Sequence, residues 1–298
     1  MNKYLISLDI GGTTFSLYLF DEKLNIIKKS PIDKIINYRN KDELLNGIEK
    51  HIISLLESSQ ITLNQILCLG ISAPGPLDCK NGIILDTPNL IILKNTKIIK
   101  ELERYFSFPI FLNNDANLFA FGEWYNYYNK KDIFVGITLG TGLGLGIIID
   151  GKIFSGAHGM GAEYGISPYK DGVWEDVISI EGIENFIKRK KVNASSPKEL
   201  HQLALKGEKD ALEIWNDFGR SLGIFTSHIL NLLDPSVVSF GGGLSKAYSC
   251  FEKSLIENLE KHSPTFKYNS PIITHSKNQL DSAHIGAARF ALKSLPKK

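Results

Sequence analysis

The sequence predicts an α/β protein of two lobes, with mixed sheets flanked by helices and a cleft between the lobes. Three observations predict it. Segments with strand patterning alternate with segments whose apolar residues recur every three or four positions. A strand, glycine turn, strand unit occurs twice, at Tyr4 to Phe20 and at Ile133 to Ile149. The 298 residues exceed one small core and suit two domains of ordinary size.

Each element follows from its own residues. Tyr4 to Phe20 reads as a hairpin broken at Asp9-Ile10-Gly11-Gly12-Thr13-Thr14. Lys41 to Ser58 places Leu44, Leu45, Ile48, Ile52, Leu55 and Leu56 on one helical face. Leu67 to Ala73 is a short buried strand ended by Pro74-Gly75-Pro76, and Ile98 to Phe106 a helix. Pro109 to Leu112 is a strand that stops at Asn113-Asn114-Asp115-Ala116-Asn117, after which Leu118 to Tyr128 reads as helix. In the second half, strands at Ile133 to Leu139 and Leu145 to Ile149 enclose Gly140-Thr141-Gly142-Leu143-Gly144. Ser196, Pro197 and Glu199 occupy the N-cap, N1 and N3 positions of a capping box. A longer helix covers Ala211 to Leu233, Asp234-Pro235 ends it, and Val237 to Phe240 enters a sheet before Gly241-Gly242-Gly243. The breaks put the first lobe at 1–117 and the second at 118–280, with 281–298 packing back on the first.

Bulk properties exclude several classes. Apolar and charged fractions of 43% and 22% are those of a soluble globular chain, and a formal net charge of +2 gives no reason to expect nucleic acid as a partner. No apolar run reaches the ~20 residues a bilayer span needs, and the start shows no secretory h-region, so the expected location is the cytoplasm. Cys68, Cys79 and Cys250 lack any paired spacing, which assembles neither a disulfide framework nor a four-thiolate metal site.

Three glycine-rich turns, each directly after an apolar strand, carry the chemical signal. Glycine has an entropic cost and supplies no packing, whereas backbone N–H groups converge on phosphate oxygens only where no Cβ obstructs them. Asp9, a hard carboxylate beside the first turn, is a candidate ligand for Mg²⁺ or its water. Each turn taken alone also reads as a hairpin needing positive φ. The spacing of Gly140, Gly142, Gly144 and Gly146 never satisfies a dinucleotide fingerprint. Gly146 to Lys152 starts like a Walker loop, but Ile153 stands where Ser or Thr is required.

With these motifs in place, the chain resembles the ROK family of bacterial sugar kinases and sugar-responsive repressors, over nearly its full length. That family lies within the actin, hexokinase and heat-shock ATPase superfamily. The resemblance implies a two-lobed actin-like ATPase fold of the ribonuclease H-like kind. Asp9 with Gly11, Gly12, Thr13 and Thr14 is similar to the first phosphate loop, and Gly140, Thr141 and Gly142 to the second. Gly241, Gly242 and Gly243 are similar to the adenosine-side loop. Asn113 to Asn117 resembles the catalytic segment, which makes Asp115 the base that takes a proton from the sugar hydroxyl. The competing reading of Asp115 is an N-cap. Asn89, Asn114, Asp115, Glu163 and Glu175 fall where the family contacts sugar, although either glutamate also reads as a surface carboxylate. The family implies ATP and Mg²⁺ as cofactors, transfer to a hexose or N-acetylhexosamine, with the 6-hydroxyl as acceptor, and a homodimer.

One departure matters. The family pattern continues from Glu-x-Gly to a His and then to a cysteine cluster for structural zinc. This chain has Ile166 at the His position and Ser167 to Trp174 without cysteine, so no zinc is expected. Three rival readings exist. A sugar-sensing repressor requires a DNA-binding helix-turn-helix ahead of the first hairpin, which starts at residue 4. A catalytically inactive sugar-binding module is opposed by Asp9, Asp115 and the three loops. An actin-like or chaperone-like ATPase would normally be a longer chain.

Overall fold

The computed structural model describes residues 2–88, 90–277 and 279–296. Contacts group the chain into two units: unit 1 takes the described residues within Met1–Asn126, Ser155–Gly161 and Leu280–Lys298, and unit 2 those within Tyr127–Phe154 and Ala162–Gln279.

In unit 1 the elements are β1 (Tyr4–Ile10), β2 (Thr14–Asp21), β3 (Ile26–Lys29), β4 (Asp33–Lys34), α1 (Lys41–Glu57), β5 (Ile66–Ala73), β6 (Leu77–Asp78), β7 (Ile83–Ile84), α2 (Ile98–Leu102), β8 (Ile110–Asn114) and α3 (Asp115–Glu123). The sheet runs β3-β2-β1-β5-β8, with β4 also paired to β2. Strands β1, β5 and β8 are parallel to one another, and β2 returns antiparallel. Side-chain alternation divides the core. Ile6, Leu8 and Ile10 face the α1 side with Leu44, Ile48 and Ile52, while Leu5, Tyr18 and Phe20 face the opposite side. The predicted apolar face of α1 is wholly buried, and Asn40 caps the helix by accepting from Glu43 N. Fully burying each such Leu or Ile contributes roughly 1.5–3 kcal/mol.

Unit 2 holds β9 (Ile133–Leu139), β10 (Leu143–Ile149), β11 (Lys152–Ile153), β12 (Pro168–Tyr169), β13 (Gly172–Val173), α4 (Ile180–Lys190), α5 (Pro197–Leu205), α6 (Lys209–Leu233), β14 (Val237–Gly241), α7 (Tyr248–His262), α8 (Phe266–Asn269) and β15 (Ile272–His275). Its sheet runs β11-β10-β9-β14-β15. Asp150 and Gly151, at φ 48° and 71°, form the tight turn from β10 to β11, so the Walker-like stretch is hairpin backbone. Helices α6 and α7 approach closely because Gly219 and Gly223 leave no Cβ against the Phe251 and Leu255 carbonyls. At α5 the box is shifted by one residue. Ser196 does cap Glu199 N, but Glu199 Oε2 accepts from Ser195 N at 2.8 Å and from the Ser195 hydroxyl at 2.7 Å.

The last helix, α9 (Gln279–Ser294), packs in unit 1 with Ala287, Ala288 and Ala291 buried. It crosses α3 backbone to backbone. A Cβ on Gly122 would overlap the Ser282 carbonyl, and one on Gly286 the Leu118 carbonyl. Gly70 of β5 is likewise closed against the Ala287 carbonyl. Helix α3 leaves its α geometry at Trp124 and continues to Tyr128 as a π turn. No helix among the described residues is long and apolar enough to cross a membrane.

Candidate active site

In unit 1 the sheet register builds a row of polar groups from three apolar strands. Asp9 on β1 pairs with Ser72 on β5, which pairs with Asn113 on β8. All three lie near the C-terminal ends of parallel strands, and two strand spacings put Asp9 and Asn113 about 10 Å apart. Ser72 Oγ donates to Asp9 Oδ1 at 2.5 Å. Burial pushes the Asp9 carboxyl above its ordinary value, and the Ser72 hydrogen bond pulls it partly back. Ser72 was missed in the sequence, where its only signal is a hydroxyl near the end of an otherwise apolar strand.

The first glycine loop joins β1 to β2 at this edge. Gly12 and Thr13 are exposed, while Ile10 before them and Phe15 after them are buried. Gly11 has an ordinary φ, and a Cβ there would meet nothing nearer than the Thr14 carbonyl at 3.5 Å. The loop is fastened from outside by Ile35 N, which donates to the Thr13 carbonyl at 2.8 Å.

Asp115 opens α3, but it is not the cap. Asn114 holds that position: its Oδ1 accepts from Ala116 N at 3.0 Å and from Asn117 N at 3.2 Å. Behind it, Asn113 Oδ1 accepts from Asn114 N at 2.8 Å. Asp115 shares one of these donors, its own Oδ1 accepting from Ala116 N at 2.8 Å. Asn89 lies outside the described residues.

Unit 2 brings the two remaining loops side by side. Thr138 near the end of β9 pairs with Gly241 at the end of β14. The second loop leaves β9 as Gly140-Thr141-Gly142, with Thr141 exposed. Its glycines are explained differently. A Cβ on Gly140 would meet nothing within 4 Å and its φ is ordinary, so neither packing nor backbone conformation demands glycine there. At Gly142 a Cβ would stand 2.6 Å from Glu175 Oε2, so any side chain there would displace that carboxylate. In the third loop Gly241 is buried strand rather than turn. Gly242 has φ 81° and is closed against the Leu139 carbonyl, whereas Gly243 is open in the manner of Gly140.

The two candidate glutamates belong to the same unit. Glu175 Oε2 accepts from Leu143 N at 2.7 Å, at the exit of the second loop. Glu163 is pushed above the ordinary carboxylate value by burial of its carboxyl and secondly by the charge of Glu175, although the residue as a whole is exposed. The two carboxylates therefore share one electrostatic environment. Ile166, three residues on, is 60% exposed. The segment expected to carry the family's cysteine cluster closes as the β12–β13 hairpin, with Tyr169 stacked on buried Trp174 at 3.7 Å and Val173 N donating to Asp176 Oδ2 at 2.8 Å. An imidazole does occur nearby: His228 of α6 shares a 2.7 Å hydrogen bond with the Tyr164 hydroxyl.

Comparison with known proteins agrees with this architecture. The chain is 31% identical to the glucokinase of Thermotoga maritima over 268 residues, covering 82% of this chain and 83% of the relative. It is 28% identical to the N-acetyl-D-glucosamine kinase of Mannheimia succiniciproducens over 313 residues, covering 97% and 99%. Among solved structures, a ROK family glucokinase from Streptomyces griseus in complex with glucose and AMPPNP superposes with a TM-score of 0.81 at 23% identity, covering 98% and 100%. Fold and relatives together define a sugar kinase with the actin-like ATPase fold. The ROK family model matches residues 5–294, and the chain belongs to the ROK family.

Proposed function

We propose that the protein transfers the γ-phosphate of Mg-ATP to the 6-hydroxyl of a hexose or N-acetylhexosamine, with Asp115 as general base. The single observation that carries this reading is the division of labour between Asn114 and Asp115. Asn114 supplies the cap of α3, and the carboxylate beside it, Asp115, stands at the first position of that helix, directly after the strand whose Asn113 shares a row with Ser72 and Asp9. The relatives named glucokinase and N-acetyl-D-glucosamine kinase support the acceptor class.

In this reading Asp115 orients the acceptor hydroxyl and takes its proton as the oxygen attacks phosphorus in line. Asn89, Asn114, Glu163 and Glu175 hold the other sugar hydroxyls, each of which would cost about 1–3 kcal/mol if buried unpaired. The open glycines Gly11, Gly140 and Gly243 give phosphate and adenosine close access to backbone, with Gly12, Thr13, Thr14, Thr141, Gly142, Gly241 and Gly242 completing the loops. Asp9 fits a hard cation, being a carboxylate whose burial disfavours its lone charge. A magnesium ion held by Asp9 and the nucleotide phosphates would neutralise charge on the migrating group. Among the described residues no three or more His, Cys, Asp or Glu gather into a metal cluster. A cytoplasmic homodimer is part of the same proposal, by family habit.

The test is a coupled ADP-release assay across glucose, mannose, allose, fructose, N-acetylglucosamine and N-acetylmannosamine, with Asp115→Asn beside the parent. Release with one or more of these sugars that the substitution lowers by about 10²-fold or more supports the reading. Near-normal turnover in Asp115→Asn ends the assignment of the base. No release with any sugar shifts weight to a sugar-binding protein without activity.

A further inference from the structure

The stretch from Trp174 to Ile180 grips the second glycine loop at both ends. At the entrance, Ile180 N donates to the Gly140 carbonyl at 2.8 Å. At the exit, Glu175 Oε2 accepts from Leu143 N at 2.7 Å. The carboxylate also lies over the loop itself, since Oε2 is 2.6 Å from where a Cβ on Gly142 would stand. Ser179, buried, caps α4 through Gly182 N and fixes where this stretch ends. A carboxylate oxygen taking a backbone N–H at the rim of a glycine loop does what a phosphate oxygen does there, with the same sign of charge.

We infer that Glu175 is a positioning residue that couples the sugar site to the nucleotide loop, its charge opposing nucleotide phosphate until sugar hydroxyls donate to it. The inference rests on the sugar-kinase reading, which makes Glu175 a ligand of the acceptor. The bond to Leu143 uses Oε2 and leaves Oε1 to accept from a hydroxyl. Hydrogen bonds from sugar spread the carboxylate's charge, which weakens its repulsion of phosphate on the adjoining loop. Sugar and nucleotide then bind with positive coupling, and by linkage each tightens the other by one and the same factor. The proximity of Glu163 adds to the effect, because two carboxylates in one environment give the empty site an excess of negative charge that a hydroxyl-rich ligand relieves.

The test is calorimetric titration of the full chain with the β,γ-imido analogue of ATP plus Mg²⁺, with and without saturating glucose or N-acetylglucosamine. Glu175→Gln keeps an oxygen for Leu143 N but removes the charge. Glu175→Asp keeps the charge but draws it back from Gly142. In the parent protein, sugar is expected to tighten the analogue about fivefold or more. Glu175→Gln should bind the analogue more tightly than the parent when sugar is absent, with the coupling factor falling towards one, and Glu175→Asp should be intermediate. Equal or weaker sugar-free affinity in Glu175→Gln, or coupling undiminished in it, overturns the inference, since a merely structural tie would leave the factor unchanged. The kinase reading fails separately, by the absence of phosphate transfer to any sugar in the parent protein.

Discussion

Ser72 on β5 donates a 2.5 Å hydrogen bond to Asp9 on β1, and it is the counterweight that makes a buried carboxylate tolerable at the mouth of the first glycine loop. Burial still wins, because the carboxyl stays above its ordinary value. A raised folded value means that the native state holds the proton more tightly than the unfolded chain does. Ionised Asp9 therefore works against folding at neutral pH, and its contribution improves as pH falls through the folded value.

Replacing Asp9 by Asn should accordingly stabilise the chain while disabling it. The melting temperature is expected to rise by about 2 °C or more at pH 7, while the rate with Mg-ATP and sugar drops about 10²-fold or more. Scanning calorimetry and the ADP-release assay read the two effects on one preparation. A lower melting temperature would show that Asp9 is held for structure rather than for a cation.

The glycine loops give a sharper separation of fold from function. Gly140 is open with an ordinary φ, whereas Gly242 has φ 81° and is closed against a carbonyl. Gly140→Ala should leave stability within about 0.5 kcal/mol of the parent and, on the proposed reading of this loop, raise the KM for ATP by setting a methyl against the phosphates. Gly242→Ala should instead lower stability by about 1 kcal/mol or more through strain and overlap. Denaturant titration with parallel kinetics distinguishes them, and equal KM values for Gly140→Ala and the parent would remove that loop from the nucleotide site.

Where α3 crosses α9 there is no room for any side chain on Gly122 or Gly286. Gly286→Ala drives a methyl into the Leu118 carbonyl, one turn after Asp115, and the helices must part. The expected loss is about 1–3 kcal/mol, seen as a lower midpoint in urea. An unchanged midpoint would contradict the close crossing.

Much of this fold is legible in the sequence because period and punctuation agree. The helix expected at Lys41 to Ser58 ends one residue earlier, and the strand at Ile133 to Leu139 matches residue for residue. Positive φ at Asp234 stops α6 where Asp234-Pro235 said it would. The glycine turns after β1 and β9 were legible as breaks between strands, yet the sequence could not separate open Gly140 from Gly142, which lies under Glu175, 33 positions further along the chain. Ser72 and the α3–α9 crossing were hidden for the same reason. Strand register and helix contact bring together residues from distant segments, and no local pattern records them. Asn114 took the capping role that local rules offered equally to Asp115.

The buried His284 of α9 supplies a pH signature independent of catalysis. Its ring is fully buried, lies between Ser7 Oγ, 2.6 Å from Nδ1, and Ser16 Oγ, 3.0 Å from Nε2, and stacks on Tyr18 at 3.6 Å. One serine donates to the neutral ring and the other accepts from it, so a second ring proton would face a donor. Burial chiefly, with Lys29 adding to it and Asp281 opposing, pushes its pKa down to about 3. The unfolded chain takes up that proton below its ordinary value near 6.5, while the folded chain does not until far lower. Stability is thus fully present above about pH 6.5 and declines as pH falls towards 3, at about 1.4 kcal/mol per unit. Asp9 and Glu163, whose raised values act in the opposite sense, contribute equally to the parent and to a His284→Gln variant and cancel in their difference. The gap in unfolding free energy between those two proteins should stay flat above pH 7 and shift against the parent by roughly 2 kcal/mol between pH 6.5 and 5. Urea titrations at half-unit intervals measure it directly, and a gap independent of pH would mean that the native fold admits the imidazolium.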